Sequence, residues 1–292
     1  MKLKILFMVF PVLACLLVSC QTFGAVRTAN EDITPEQEYY IGRAVAANIL
    51  GSYRGWNGNP ALTNYLNFIC AAITANSSPQ SDVFNGYHVA ILDSNEINAF
   101  ATPGGHILVT RGLIAAANSE DALAGVIAHE IAHIHLKHGI NSISASRRRD
   151  IGRAFTQDLR TGLAIAGLFS STARQISQTI DTVSAGINEL VGLFGYSVND
   201  IINSMVVNGY SRRQELEADN YAMTLMSAAG YNPQGLIDML RQLSVVQVAG
   251  SGFGRTHPAP SDRLTNAEST ILNFNVADNS AFRRARFAEA AR

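Results

Sequence analysis

Two histidines and a glutamate within five consecutive residues have the spacing needed to bind and use a metal ion. His129 and His133 of the sequence HEIAH are four residues apart. On an α-helix this spacing separates them by about 40° around the axis, so both imidazoles can reach one ion. Glu130 could then take a proton from a water molecule held on that ion. Two surface histidines beside a solvated carboxylate would give the same pattern, so the interpretation requires a third ligand.

The helix that carries this motif is predicted to face a hydrophobic core. Ser119 is a typical N-cap, and Gly139 is a typical stop after a last turn that contains Lys137 and His138. Four apolar residues lie within about 80° of one another around the axis. They are Leu123, Ile127, Ile131 and Ile134. By the same geometry, His135 and His138 point away from the two motif histidines, so the third ligand must come from another element.

A second helix offers the missing carboxylate. Ser211 and Gln214 have the spacing of a capping box, which predicts a helix start. Glu215 and Asp219 share an otherwise apolar face, whereas Glu217 lies about 200° away and is predicted to be at the surface. Buried carboxylates are costly unless a partner neutralises them. Glu215 is therefore the predicted third ligand and Asp219 the predicted partner of a ligand histidine's free ring N–H. The alternative is a buried carboxylate satisfied by arginine or backbone.

Three short extended segments predict a small antiparallel sheet between the N-terminal helices and the motif helix. Apolar alternation marks residues 87–92, and further strands are predicted at 97–101 and 106–110. A free edge near the metal could bind an extended peptide by strand addition. The sheet could equally serve only to support the helices.

The first 19 residues have the layout of a secretory signal peptide, with two lysines before a short apolar run. The run ends in Leu-Val-Ser-Cys, which resembles a bacterial lipobox, so Cys20 is predicted to be lipidated and to become the mature N-terminus. Residues 20–33 would be a tether. Gln21 resembles the residue found in lipoproteins sorted to the outer membrane. A simple N-terminal membrane anchor is the alternative, although the run is short for one.

Composition is that of a globular domain, with 292 residues, 47% of them hydrophobic, and a net charge of −1. This balance gives no expectation of nucleic-acid binding. Cys70 would be the single cysteine left after processing, and its apolar surroundings predict a buried, inert thiol. Residues 141–208 are predicted to form either a helical cover over the site or ordinary packed helices. The tail, residues 273–292, is predicted to be a solvated amphipathic end.

Three further segments make the chain similar to a known family. They are NAFATPGGHILVTRGL at 98–113, SRRQELEAD at 211–219 and THPAPSDRL at 256–264. With HEIAH, they resemble the zinc metallopeptidases of family M48, which include the CaaX-prenyl protease, heat-shock protease X and soluble bacterial envelope proteases. The resemblance implies an α+β, mainly helical gluzincin fold for residues 34–272. That fold has an HExxH active-site helix, a small antiparallel sheet and one Zn²⁺ per chain.

The resemblance also implies roles for individual residues. The family's glutamate ligand matches Glu215, and Glu130 would act as general base on a water in the fourth position on the metal. His257 and Arg263 match the family's His-Pro and Arg, so each is a candidate donor to the oxyanion. His257 could instead ligate zinc in a resting state. Substrate would lie along the edge strand formed by Asn98, Ala99, Phe100 and Ala101.

The expected function is that of a zinc endopeptidase of the bacterial cell envelope that degrades misfolded or unassembled proteins. The sequence has neither the membrane spans of the prenyl protease and heat-shock branches nor a helical-repeat module, which favours the small lipoprotein branch. Expected partners are extended polypeptides, a membrane reached through the lipid on Cys20, and envelope assembly machinery. The expected location is the periplasmic face of the outer membrane. Two alternatives are a non-proteolytic client-binding assembly factor and a zinc hydrolase acting on a non-peptide envelope substrate.

Overall fold

A computed structural model describes residues 35–77, 83–142, 198–246, 252–257, 260–274 and 280–290. Apart from residues 141–142, all of these fall in one compact unit made of residues 34–140 and 197–292. The predictions for the signal segment, Cys20, the tether and most of the 141–208 region lie outside the described residues. No helix in the described ranges combines the length and the hydrophobicity needed to cross a membrane.

The described residues are mainly helical, as predicted. The helices, in chain order, are α1 (Pro35–Tyr53), α2 (Pro60–Ala75), α3 (Arg111–Ala116), α4 (Glu120–His135), α5 (Arg212–Ala228), α6 (Gln234–Val246), α7 (Phe253–Thr256), α8 (Pro260–Thr270) and α9 (Ser280–Ala290). Residues 198–202 are also helical and lead into a π-helical turn at Asn203–Val207. Local caps set the starts of the site helices, since Ser119 caps α4 and Ser211 forms the predicted capping box of α5.

The sheet contains three strands in the order β1-β3-β2, and its mixed topology differs from the antiparallel sheet predicted. The strands are β1 (His88–Leu92), β2 (Ala99–Thr102) and β3 (His106–Thr110). β3 runs antiparallel to β2 but parallel to β1. A tight turn at Pro103–Gly105 returns the chain from β2 into the centre of the sheet, beside β1. Sequence periodicity marks strands but does not give their spatial order.

The two outer edges of the sheet have different hydrogen-bonding partners. On β1, the side-chain amide of Asn67 donates to the carbonyl of Val89 and accepts from its N–H, both at 2.9 Å. The N–H of Trp56 donates to the carbonyl of Ile91 at 2.8 Å. These contacts occupy the β1 edge as a neighbouring strand would. Within the described residues, no strand pairs with the outer edge of β2, although all four residues of β2 are buried.

The motif helix α4 lies at the centre of the core and is buried on every side, from Glu120 to Ile134. It packs against α5 and α6 and also contacts β2. Gly125 allows the close approach of α6, because a Cβ there would lie 2.9 Å from the Cα of Leu236. The core-facing helix predicted from one apolar stripe is therefore enclosed on all faces, and small residues supply the room for it.

The C-terminal helix α9 packs one face against the start of α4, while most of its residues are exposed. Arg283 is buried, and its Nε lies 2.8 Å from Oδ1 of Asp121. Arg286 forms an ion pair with the buried carboxylate of Glu120. The two acids of the first turn of α4 are buried, and arginines far along the chain compensate their charges, a long-range contact that the amphipathic pattern of the tail does not specify.

Candidate metal centre

Helices α4 and α5 bring the three predicted ligands together in the core. Nε2 of His129 lies 3.0 Å from Nε2 of His133. The carboxylate of Glu215 faces both rings, with Oε2 3.6 Å from His129 Nε2 and Oε1 3.5 Å from His133 Nε2. All three side chains are buried. The face of α5 that the sequence assigned to the site therefore does lie against the motif histidines.

His257 contributes a fourth donor atom to this cluster. Its Nδ1 lies 3.4 Å from Nε2 of His129 and 3.1 Å from Oε1 of Glu215. One donor atom from each of the four residues lies within 4.8 Å of the others. His257 follows α7, and the ring of Phe253 stacks on the imidazole with centroids 4.2 Å apart. The α7 segment thus brings a third imidazole to the centre.

The donor set fits a metal ion in both spacing and chemistry. A tetrahedral ion with metal–ligand distances of about 2.0–2.1 Å has its ligands about 3.3–3.4 Å apart. The His129–His133 separation of 3.0 Å and the His129–Glu215 separation of 3.6 Å bracket that value. Imidazole nitrogens with a carboxylate oxygen are ligands typical of first-row divalent metals. A metal would also explain why so many polar groups are buried at one point.

Glu130 is fully buried beside this cluster, and neither carboxylate oxygen has a hydrogen-bond partner among the described residues. Nε2 of His257 lies 3.5 Å from Oε1 of Glu130. Burial raises the pKa of Glu130, and the nearby His257 lowers it only in part. A buried carboxylate without partners is costly, which is the expected signature of a group kept for a ligand or a water molecule.

Asp219 and Arg263 form the outer layer of the centre. Oδ1 of Asp219 lies 2.9 Å from Nδ1 of His129, at the position predicted for a partner of the free ring nitrogen. Arg263 donates to both oxygens of Asp219, at 2.7 and 2.8 Å, and its Nη1 lies 2.8 Å from Oε2 of Glu215. The guanidinium therefore compensates part of the charge of the two carboxylates. This geometry favours a positioning role for Arg263 over donation to an oxyanion.

The carboxylates and the histidines have shifted pKa values because of these contacts. Burial raises the pKa of Glu215 and Asp219, but the charge of Arg263 and the neighbouring histidines outweigh it, so both values are lowered. Burial and Arg263 lower the pKa of His129, yet Asp219 and Glu215 outweigh them and raise it to about 9. Burial lowers the pKa of His133 well below its ordinary value. The carboxylates are thus ionised, as metal ligands and their partners must be.

His138 lies against His133, so the prediction that it points away is wrong. The prediction assumed that α4 continues through residue 138, but the helix ends at His135 with Leu136 as C-cap. Lys137 adopts the left-handed conformation with φ 57°, and the chain becomes helical again from residue 138. This turn places Nδ1 of His138 2.8 Å from Nδ1 of His133. His135 does point away, toward the hydroxyl of Tyr221.

Two aromatic residues that the sequence reasoning missed cover the imidazoles. Tyr210 stacks on His133 with centroids 4.1 Å apart and an interplanar angle of 17°. Phe253 stacks in the same way on His257, at 20°. The backbone N–H of Tyr210 also donates to the carbonyl of Thr256, at 3.2 Å, which ties the two segments together. No local pattern marks either residue, since Tyr210 only precedes a helix cap and Phe253 lies in a glycine-rich stretch.

The predicted substrate strand lies next to the centre. Ala99, Phe100 and Ala101 belong to β2, and Asn98 precedes it. The N–H of Thr110 donates to the carbonyl of Asn98. Antiparallel alternation therefore turns the N–H and C=O groups of Ala99 and Ala101 toward the outer edge.

The two ends of this strand edge have different neighbours. Oδ1 of Asn98 accepts from the N–H of Ala99 at 2.9 Å and from the hydroxyl of Thr256 at 3.0 Å. At the other end, Ala101 and His133 line the same small cleft. Ala101 thus lies near the candidate metal centre, while Asn98 and α7 occupy the beginning of the edge.

Comparison with known proteins agrees with this geometry. The sequence profile of Peptidase family M48 matches residues 63–271, which is most of the chain. The chain belongs to peptidase family M48. This confirms the resemblance drawn from the motifs and the mainly helical gluzincin fold. M48 peptidases are metal-dependent, in agreement with the cluster of donor atoms described above.

Relatives within the M48 family come from bacteria and fungi. The beta-barrel assembly-enhancing protease of Escherichia coli (strain K12) is 26% identical over 247 residues, covering 83% of this chain and 45% of that protein. The protein of the same name from Yersinia pestis is 27% identical over 215 residues, covering 72% of this chain and 39% of that protein. The mitochondrial metalloendopeptidase OMA1 of Schizosaccharomyces pombe is 26% identical over 182 residues, covering 61% of this chain and 45% of that protein. The chain spans less than half the length of each of these relatives.

Proposed function

We propose that this chain is a zinc endopeptidase, with one Zn²⁺ held by His129, His133 and Glu215. The observation that carries the proposal is the burial of Glu130 without hydrogen-bond partners. Its carboxylate is fully buried beside four clustered donor atoms, and neither oxygen has a hydrogen-bond partner among the described residues. Stability alone would disfavour such a group, whereas a hydrolase needs a general base at this position.

Each residue of the centre has a defined part in the proposed reaction. Zinc, when bound, polarises the scissile carbonyl and lowers the pKa of a bound water. Glu130 accepts the proton of that water and then passes it to the leaving amine. Asp219 fixes the ring of His129, and Arg263 keeps Asp219 and Glu215 ionised at full burial.

His257 has the position of a resting-state ligand rather than that of an oxyanion donor. Its Nδ1 faces the same point as the three proposed ligands, and its Nε2 is 3.5 Å from Glu130. In that position the imidazole takes the place that the attacking water needs. Catalysis then requires His257 to leave the centre.

The substrate is an extended polypeptide bound antiparallel or parallel to the outer edge of β2. Ala101 and the carbonyl of Ala99 face that edge, whereas the N–H of Ala99 is bonded to Oδ1 of Asn98, and the β1 edge is already occupied by Asn67. A strand edge suits an extended chain better than a small non-peptide substrate, which requires an enclosed pocket.

The proposed setting is the cell envelope, with the chain anchored through a lipid on Cys20 at the periplasmic face of the outer membrane. The names of the bacterial relatives, which refer to beta-barrel assembly, support a role in envelope protein quality control and contact with assembly machinery. Mass spectrometry of the mature protein should find residues 1–19 removed and Cys20 acylated. An intact, unmodified Met1 would contradict the anchor.

The catalytic proposal is tested with Glu130→Gln. This variant should bind one zinc per chain and keep its fold, yet cleave casein at least about 100-fold more slowly, because it lacks the base. Glu268→Gln, which changes an exposed glutamate paired with Arg241, is the matched control and should cleave normally. Full activity of Glu130→Gln would refute the mechanism. Zinc-loaded wild-type protein that binds casein but never cleaves it would instead favour a client-binding assembly factor.

A further inference from the structure

The two ring nitrogens of His133 face different surroundings. Nε2 faces the candidate metal centre, 3.0 Å from His129 Nε2 and 3.5 Å from Glu215 Oε1. Nδ1 faces the opposite way and lies 2.8 Å from Nδ1 of His138. Both imidazoles are buried. His129 is arranged in the same manner, but its outward nitrogen meets the carboxylate of Asp219.

Proton positions along this contact follow from the chemistry of imidazole. A neutral histidine that binds a metal through Nε2 carries its proton on Nδ1. His133 must then donate from Nδ1, and Nδ1 of His138 must accept. The remaining proton of His138 is consequently on Nε2, which lies 3.6 Å from Oε2 of Glu217. The direct contact of His133 is therefore with His138, and Glu217 lies near the far side of that ring, half-exposed.

The backbone holds His138 in this place through several independent features. Lys137 takes a positive φ of 57° at a non-glycine position, a conformation that needs support from surrounding contacts. A Cβ added at Gly139 would lie 3.2 Å from Cγ of Pro103, so the chain after the turn packs tightly against the turn before β3. Tyr210 stacks on His133 and also approaches His138, with centroids 5.8 Å apart. The two imidazoles are thus fixed relative to one another.

We infer that His138 is a positioning residue that fixes the tautomer and ring orientation of His133. The inference rests on the proposed function, because it takes His133 to be a zinc ligand. His138 does not touch substrate or metal. It acts on His133 as Asp219 acts on His129, with a neutral acceptor in place of a charged one.

Metal affinity is the first test. His138→Leu keeps the apolar volume but removes the acceptor, and it should weaken zinc binding about 10- to 100-fold in competition with a chelator. His138→Asn places an amide oxygen near the position of Nδ1 and should restore most of the affinity. His135→Asn is the matched control, since this neighbouring histidine contacts Tyr221 instead, and it should bind zinc normally. Equal affinity of wild type and His138→Leu would overturn the inference.

A readout on the unaltered protein keeps the test independent of folding defects. In zinc-loaded wild-type protein with ¹⁵N-labelled histidine, the Nδ1 proton of His133 should show coupling to two nitrogens, its own and Nδ1 of His138. A proton on Nε2 of His133, or none on Nδ1, would overturn the inference. Wild-type protein that fails to bind zinc at all would refute the proposed function, whereas bound zinc without this coupling would refute the role of His138 alone.

Discussion

Nδ1 of His129 lies 2.9 Å from Oδ1 of Asp219, one helical turn beyond the ligand candidate Glu215. The same oxygen accepts from Arg263 at 2.7 Å, so one buried carboxylate holds an imidazole and a guanidinium. None of these groups has access to solvent, and each would be costly alone. The carboxylate of Asp219 therefore both orients a proposed metal ligand and contributes to the stability of the core.

Replacement of Asp219 by asparagine should therefore affect two properties together. The variant retains the shape of the side chain but loses its charge, which leaves Arg263 incompletely neutralised and His129 without its acceptor. Zinc affinity should fall about 10- to 100-fold, and the metal-free protein should lose about 3–5 kcal/mol of unfolding free energy. Chelator competition and urea denaturation measure the two effects. Asp238→Asn, at an exposed ion pair with Arg241, is the control and should change neither zinc affinity nor stability. If Asp219→Asn were as stable as the wild type, the buried carboxylate would not have the stabilising role described.

Stability of the metal-free protein should fall on acidification. Although burial opposes it, Arg263 and the histidines lower the pKa of Glu215 and Asp219 in the folded state. The unfolded chain then takes up protons at a higher pH than the folded protein. Their contribution is fully present above the ordinary carboxyl range of about 4–5 and is lost as the pH falls through the lowered values. Urea unfolding between pH 3 and 7 should show this slope. A doubly substituted Glu215→Gln, Asp219→Asn protein should lose less unfolding free energy over this pH range than the wild type. An equal loss in the two proteins would contradict the assignment of the pH dependence to these carboxylates.

Arg283 should contribute more to stability than its neighbour Arg284. Arg283→Ala leaves the buried carboxylate of Asp121 without its cation at the start of α4 and should cost about 3 kcal/mol or more. Arg284 is exposed on the same helix, and its replacement by alanine should cost less than about 0.5 kcal/mol. Thermal and denaturant unfolding compare the two variants. Equal stability of both would mean that α9 does not hold α4 in solution.

Close packing of α4 and α6 gives a steric prediction. A Cβ at Gly235 would collide with the backbone of Asp121, so Gly235→Ala should destabilise the protein by about 1–3 kcal/mol. Gly51 in α1 has no atom within 4 Å of the corresponding point. Gly51→Ala should stabilise the protein by about 0.5–1 kcal/mol, because glycine is a poor helix former. A stabilising Gly235→Ala would show that the two helices are less closely packed than described.

Local sequence signals determined much of the architecture. Ser119 and the Ser211 capping box give the starts of α4 and α5, and alternation gives β3 at its observed bounds. These features depend on interactions within three or four residues, which the sequence displays directly. Helical periodicity also placed Glu215 and Asp219 on one face, so the pairing of HEIAH with α5 was predicted before any contact was known.

Tertiary structure alone decided how the centre is completed and enclosed. His257 meets His129 across 128 positions of the chain, and Arg263 meets it across 134. The position of His138 depends on a left-handed Lys137, a conformation that helical periodicity does not anticipate. Sequence determined the ligand chemistry, because spacing on one helix fixes which side chains share a face. The structure decided which remote groups neutralise it, because that depends on long-range packing.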